Sequence, residues 1–198
     1  MYYFCTYALK IILSLFGRIK IYQKENTEIS GGFVIACTHS GWVDILWLGV
    51  SMLPKQIHYM AKKELFQSTF LKWLMEQLHA FPVDRENPGP SAIKTPRKLL
   101  KNGEIVGVFP SGTRTSEEVP LKRGAVTMAG YAKTPILPVA YQGPNNFTDL
   151  FKRVKPKIIF GQPIYMPENL PLKQGMEVMM EQLEKSLHDL QTQLREIE

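Results

Sequence analysis

A histidine and an aspartate five positions apart are the residues of this chain best suited to acid–base chemistry. His39 follows the apolar run Phe33–Thr38, and Asp44 stands near the start of the helical pattern Val43–Met52. With His39 in the turn and Asp44 in the first helical turn, the carboxylate can fold back toward the imidazole. It would then fix the imidazole tautomer and stabilise the imidazolium. The spacing predicts a general-base dyad whose nucleophile belongs to the substrate.

The spacing has two alternative interpretations. A bare His-x4-Asp pair is a weak signal that also arises by chance, and a satisfied surface histidine is the default until the surrounding residues are considered. A metal site would add Cys37, but Cys-x-His-x4-Asp matches no usual spacing of metal ligands. We therefore expect no metal and no cofactor.

Cationic and turn-forming residues follow two further strand-like runs and precede a helix. Arginine side chains and exposed turn amides are suited to bind a phosphate group. Together they predict a phosphate pocket beside the base. The candidate phosphate ligands are Arg85, Ser111, Gly112, Thr113, Arg114 and Lys122.

The elements that must position these residues alternate along the chain. Strands separated by helices predict an α/β fold with a largely parallel sheet, and ligands of such sheets gather at the carboxyl ends of the strands. The predicted strands are Ile19–Tyr22, Phe33–Thr38, Ile57–Met60, Phe81–Asp84, Ile105–Phe109, Ile136–Tyr141 and Lys157–Phe160. The predicted helices are Val43–Met52, Lys63–Gln77, Ser91–Leu100 and Gly124–Ala132.

The first eighteen residues predict a membrane-anchoring helix ahead of a domain over 19–198. Residues 2–17 are almost wholly apolar, and about sixteen helical residues reach about 24 Å, short of the roughly 30 Å hydrocarbon core. Thr6, Lys10, Ser14 and Arg18 form one narrow polar stripe. Such a helix is typical of a membrane interface, here the cytoplasmic face of the cell membrane, in a peripheral or monotopic protein. The alternative is a core helix.

The C-terminal stretch predicts a long amphipathic helix. Its apolar residues follow a 4-3-4-3 spacing from Met176 to Ile197. This pattern suits a coiled-coil dimer, but docking on the chain's own sheet is the commoner use.

Composition and charge narrow the range of protein classes and binding partners. The chain has 198 residues, of which 44% are hydrophobic, and a net charge of +6. This composition excludes a mainly disordered protein. The two cysteines lie far apart, which excludes a disulfide scaffold. Residues 173–198 carry −3, so residues 1–172 carry +9, and a body this basic favours an anionic partner. Nucleic acid is not expected, because the basic residues are scattered and no aromatic-basic signature accompanies them.

Four sequence blocks then make a family recognisable over nearly the full chain. THSGWVD, HAFPVDR, FPSGTRTS and ILPVAYQG occur in order. They resemble the blocks of the glycerolipid acyltransferases, specifically the bacterial 1-acyl-glycerol-3-phosphate acyltransferases. The resemblance implies acyl transfer from a thioester to the sn-2 hydroxyl of lysophosphatidate, giving phosphatidic acid for phospholipid synthesis. His39 would be the base and Asp44 its orienter, while Arg85, Gly112, Thr113 and Arg114 would hold the glycerol phosphate.

The chain departs from this family pattern at two places. Ser111 stands where most members have glutamate, and Glu117 and Glu118 are nearby replacements for that carboxylate. His79 and Pro82 stand where the second block usually has glycine and an apolar residue, which puts the local strand geometry in question.

Several alternatives stay open from the sequence. The acyl donor would be a thioester of acyl carrier protein or coenzyme A, and Lys55, Lys62, Lys63 and Lys72 form a candidate basic face for the acidic carrier. The acceptor could instead be another lysophospholipid or glycerol 3-phosphate. A non-catalytic lipid-binding module is the alternative from a different functional class.

Overall fold

The computed structural model of the chain describes residues 2–38, 41, 43–84, 89–110, 121, 123–152 and 154–197. These residues contain seven strands that form one sheet between two layers of helices. The strands are β1 (Lys20–Tyr22), β2 (Phe33–Cys37), β3 (Ile57–Lys62), β4 (Phe81–Val83), β5 (Ile105–Val108), β6 (Ile136–Gln142) and β7 (Lys157–Phe160). The helices are α1 (Tyr2–Phe16), α2 (Val43–Ser51), α3 (Thr69–Gln77), α4 (Ser91–Lys101), α5 (Gly124–Ala132), α6 (Phe147–Leu150) and α7 (Leu172–Glu196).

The sheet has the strand order β1-β7-β6-β2-β5-β3-β4. All neighbouring strands are parallel except β6 and β7, which pair antiparallel. This confirms the predicted α/β fold with a largely parallel sheet. All seven predicted strands are present, within one or two residues at their ends.

One predicted helix is wrong in its first half. Lys63–Gln77 was expected to be continuous, but a short 3₁₀ helix over Lys63–Phe66 precedes α3. Ser68 has an extended backbone at the N-cap of α3. The hydroxyl of Ser68 makes no capping hydrogen bond, so the extended backbone of Ser68 itself, and not a side-chain cap, separates the two helical segments.

The core lies on both faces of the sheet. Every residue of β2 is buried, as expected for a strand covered by helices on both sides. Ile35 packs in the cluster that contains Leu13 of α1 and Trp47 of α2. Val34, on the opposite face, packs in the cluster that contains residues of α4, α5 and α7. The alternation of side chains along β2 therefore divides the core into two layers.

Helix α7 packs on the chain's own sheet. Its buried residues include Leu183, Leu187, Leu190 and Leu194, which contact the cores beside β6 and β7. This confirms docking on the sheet rather than a coiled coil as the use of the stripe. Near the start of α7 the buried residues are Gly175 and Met179, whereas the spacing predicted Met176 and Met180, which are only half-buried.

Helix α1 has one packed face and one exposed apolar face. Tyr2, Thr6 and Leu13 are buried against the domain. Thr6, expected on the outward polar stripe, lies instead on the packed face, where its hydroxyl donates to the carbonyl of Tyr2 at 2.9 Å and is thereby satisfied. On the opposite side Phe4 and Leu15 are exposed at 74% and 79%. Among the described residues, no helix is long and apolar enough to cross a bilayer.

Candidate active site

The predicted site residues follow strands whose carboxyl ends share one edge of the sheet. β2, β4, β5 and β6 run parallel, so these ends lie together. In sequence, His39 follows β2, Arg85 follows β4 and Ser111 follows β5. The residues that lie outside the described part of the chain are His39, Arg85, Ser111, Gly112, Thr113, Arg114, Glu117, Glu118 and Lys122. Their side-chain positions stay predictions.

Asp44 is the predicted site residue that the structure describes. It is fully buried in the first turn of α2. Its Oδ2 accepts a hydrogen bond from the backbone N–H of Gly41 at 3.0 Å. A carboxylate in the first turn of a helix is also favoured by the helix dipole. The side chain therefore folds back over the turn between β2 and α2, as the dyad hypothesis requires of it.

A close backbone contact holds this turn against the loop that follows β6. A Cβ on Gly41 would lie 1.7 Å from the carbonyl oxygen of Asn145, so only glycine fits there. Beside it, the hydroxyl of Thr38 accepts the N–H of Tyr141 at 3.0 Å. Sequence analysis missed Gly41 and Asn145 as positioning residues. A glycine at a strand-to-helix turn is a signal, but its partner lies 104 positions away.

Three titratable groups close to Asp44, of which Cys37 and Tyr141 are buried and Tyr59 is half-buried, keep their protons. Burial is the main cause that raises the pKa of Cys37, Tyr59 and Tyr141, and the Asp44 carboxylate raises each pKa further. The Tyr59 hydroxyl donates to the carbonyl of Ile45 at 3.3 Å. These groups are therefore neutral around Asp44 and do not compete for the role of base. Within the described ranges, no group of three or more His, Cys, Asp or Glu side chains is arranged to hold a metal ion.

A family assignment follows from comparison with known proteins. The model of the family described as "Acyltransferase" matches residues 18–142, which is more than half of the chain and contains Asp44 with all the strand ends described above. This chain belongs to the acyltransferase family. The predicted resemblance and the predicted enzyme class are thereby confirmed.

Two relatives and one solved structure extend this assignment. The acyltransferase chain is 58% identical to the 1-acyl-sn-glycerol-3-phosphate acyltransferase of Bacillus subtilis over the full length of both chains. It is 34% identical to the enzyme of that name from Streptococcus pneumoniae, over 83% of this chain and 62% of that one. The crystal structure of the 1-acyl-sn-glycerophosphate acyltransferase PlsC from Thermotoga maritima superposes with a TM-score of 0.68 at 21% identity, covering 93% of this chain and 80% of that one. This likeness supports the fold.

The second block of this acyltransferase keeps its strand geometry despite its two departures. His79 has φ 54°, the left-handed conformation that favours glycine. Its ring lies between those of Tyr2 and His58, at centroid distances of 4.7 and 4.9 Å, which offsets part of that backbone cost. Pro82 lies on β4 and pairs with Ala61 of β3. Because β4 is an edge strand, the missing N–H of proline is tolerated there.

The predicted basic face of the acyltransferase includes lysines at both ends of β3. Lys55 precedes β3, and its ammonium donates to Glu28 Oε2 at 3.3 Å and to the carbonyl of Thr27. Lys63 follows the other end of β3 and pairs with Asp84 Oδ2 at 2.6 Å. β3 has six residues, so about 20 Å of strand lies between the backbone positions of these two lysines. The use of these lysines by an acidic carrier stays a prediction.

Proposed function

We propose that this acyltransferase transfers a fatty acyl group from a thioester to the sn-2 hydroxyl of 1-acyl-glycerol 3-phosphate, giving phosphatidic acid. The observation that carries the reaction is the 58% identity, over the full length of both chains, to the Bacillus subtilis enzyme of that name. The buried Asp44, folded back over the turn after β2, supports the proposed mechanism.

In the proposed mechanism His39 acts as general base and Asp44 orients it. His39 removes the proton of the sn-2 hydroxyl while the oxygen attacks the thioester carbonyl. The tetrahedral intermediate then collapses, the carbon–sulfur bond breaks, and the leaving thiolate takes the proton back from the imidazolium. Base catalysis contributes about 10²–10⁴-fold, and positioning of the hydroxyl beside the thioester supplies much of the rest.

The phosphate of the acceptor would bind at the neighbouring strand ends. Arg85 and Arg114 would supply charge-assisted hydrogen bonds, and Gly112 and Thr113 would add turn donors. Ser111 and Lys122 complete the proposed pocket. The shared edge formed by the carboxyl ends of β2, β4 and β5 supports this grouping.

The acceptor and product are membrane lipids, so we also propose that α1 lies at the cytoplasmic face of the cell membrane. The exposed apolar face with Phe4 and Leu15 supports this placement, opposite the face that packs on the domain. The donor would be a thioester of acyl carrier protein or coenzyme A.

A panel of donors and acceptors on purified protein tests the reaction, with mass spectrometry of the lipid product. We expect phosphatidic acid from lysophosphatidate with at least one of the two thioesters. A product only from another lysophospholipid or from glycerol 3-phosphate would replace the proposed acceptor. Binding of lysophosphatidate with no product from any donor would indicate a lipid-binding module.

Two substitutions test the dyad in the same assay. His39→Ala should abolish turnover, and Asp44→Asn should lower it by several orders of magnitude with little change in acceptor affinity. His39→Ala with more than a tenth of wild-type turnover would contradict the base assignment.

A further inference from the structure

We infer that Phe147 and Phe151 of the α6 region are a second lipid-contacting element, continuous with the outer face of α1, which holds the bilayer beside the active site. This inference rests on the proposed function, because it assumes an acceptor embedded in a membrane. It concerns residues about 130 positions beyond α1 in sequence.

Direct contacts join α6 to the end of α1. The rings of Phe16 and Phe151 meet edge to face, with centroids 5.1 Å apart and planes at 80°. One residue further along, Gly17 lies near the ring of Pro156, since a Cβ added to Gly17 would be 3.4 Å from the Pro156 Cδ. The end of α1 therefore contacts the α6 region directly, through the rings of Phe16 and Phe151.

Phe147 and Phe151 point away from the core although α6 itself is firmly held. The two side chains are exposed at 63% and 75%, and residues four apart lie on the same side of a helix. Between them, Leu150 is buried in the core cluster of α1 and α2. The side chain of Asn146 caps the helix by accepting the N–H of Asp149 at 2.9 Å. The rings are thus presented to the outside by a rigid turn, and water is a poor partner for them.

The segments that follow Phe16 and Phe151 each carry an exposed cation, which suits a bilayer with anionic headgroups. Arg18 and Lys155 are exposed on segments that run side by side, joined by the hydrogen bond from Lys20 N–H to the carbonyl of Pro156 at 2.9 Å. The carboxylate of Asp149 is engaged by Lys152, whose Nζ lies 2.7 Å from Oδ1. Exposed aromatic rings with exposed cations on the adjoining segments are typical of interfacial membrane contacts.

The position of α6 links the proposed lipid contact to the active site. Asn145, whose carbonyl abuts Gly41, is two residues before α6 begins. The lipid-contacting rings are therefore attached to the same loop that holds the turn between β2 and α2. An acceptor whose acyl chain stays in the bilayer can then present its hydroxyl and phosphate at the carboxyl edge of the sheet.

Vesicle flotation of a double variant tests this inference. Phe147→Ser with Phe151→Ser should weaken binding to vesicles of phosphatidylglycerol and phosphatidylcholine by about tenfold or more, because two apolar rings lose their lipid contact. Activity on bilayer-embedded lysophosphatidate should fall in parallel. Turnover of a short-chain, soluble acceptor should stay within about twofold, since neither ring is part of the buried core.

Tyr165→Ser is the matched control. Tyr165 is 61% exposed and follows Ile164, which bridges to Ile136 at the amino end of β6, whereas α6 follows the carboxyl end. Its substitution should leave flotation unchanged. Equal flotation of wild type and the double variant would overturn the inference, as would equal losses in the double variant and the control. A change from dimer to monomer in light scattering, with vesicle binding intact, would replace the bilayer by a second copy as the partner.

A spectroscopic arm keeps the test independent of the serine variants. Tryptophan emission added by Phe151→Trp should be quenched by vesicles containing brominated lipids, beyond the quenching of the wild type, whereas that added by Tyr165→Trp should not. Absence of extra quenching at position 151 would overturn the inference. The proposed function fails separately, if wild-type protein acylates no form of lysophosphatidate.

Discussion

Among the glycines near the site that the structure describes, Gly41 is the one whose substitution by alanine should lower the catalytic rate most. The new Cβ would lie 1.7, 2.4 and 2.6 Å from the carbonyl oxygen, carbonyl carbon and Cα of Asn145. All three atoms are backbone, so no side-chain rotation relieves the clash. The turn between β2 and α2 must instead move away from the loop after β6.

The size of the effect follows from that geometry. Real Cβ contacts essentially never fall below 3.0 Å, so the two backbones must part by about 1.3 Å, and a misplacement of about 1 Å costs on the order of 10²-fold in rate. Overpacking of about 1–3 kcal/mol should lower the melting temperature by about 2–12 °C for a chain of this size. The Gly41 N–H would also lose its 3.0 Å hydrogen bond to Asp44.

Steady-state kinetics with lysophosphatidate and a saturating thioester donor, together with a thermal melt, measures both effects. We expect the loss in kcat rather than in acceptor KM, because Gly41 stands between His39 and Asp44, the two residues of the proposed dyad, and not in the proposed phosphate pocket. Gly89→Ala is the control, since Gly89 is exposed and a Cβ added there would meet no atom within 4 Å. Gly41→Ala with more than half of wild-type kcat and an unchanged melt would refute the reasoning.

Three further outcomes are expected. Leu13→Ala should destabilise the protein by about 2–5 kcal/mol in denaturant unfolding because Leu13 is buried in the core, whereas Leu15→Ala, exposed on the same helix, should change stability by about 0.5 kcal/mol or less. Burial, and to a smaller extent the neighbouring His58, lower the pKa of His79 in the folded protein. The unfolded chain therefore binds more protons at this residue than the folded protein does, so His79 lowers the free energy of unfolding as the pH falls below about 6.5. Asparagine also tolerates a positive φ. The melting temperature of His79→Asn relative to that of the wild type should therefore rise as the pH is lowered from about 7.5 to about 5.5, and a pH-independent difference would contradict this assignment. Arg85→Ala should raise the acceptor KM by about 10–100-fold with little change for the donor, as expected for the loss of a charge-assisted contact; an unchanged acceptor KM would remove Arg85 from the pocket.

Elements with a strong local pattern were predictable from the sequence. The apolar run of β2 and the leucine repeat of α7 each predict a buried element, and that burial depends little on which residues surround the segment. Asp44 was predictable for a similar reason, since its place in the first turn of α2 depends on where the helix begins. The break before α3 was not predicted, because Ser68 at a cap competes only weakly with an otherwise helical pattern.

Contacts between distant segments were beyond the sequence. Thr6 belongs to a polar stripe by its spacing, yet it faces the core because its hydroxyl is satisfied by the helix backbone. Lys55 and Lys63 are close in sequence but lie at opposite ends of β3. The left-handed backbone of His79 depends on the rings of Tyr2 and His58, which come from two other elements.

The sequence by itself determined the class of fold, the family and the chemistry to look for, because strands, helices and the four motif blocks are each contained in short stretches of chain. Only the tertiary structure decided how the turn after β2 is held. β6 lies beside β2 in the sheet, and this neighbour brings Asn145 against Gly41 and the ring of Phe151 against Phe16 of α1. The order of strands arises from the packing of the whole core, and no local run of residues encodes it.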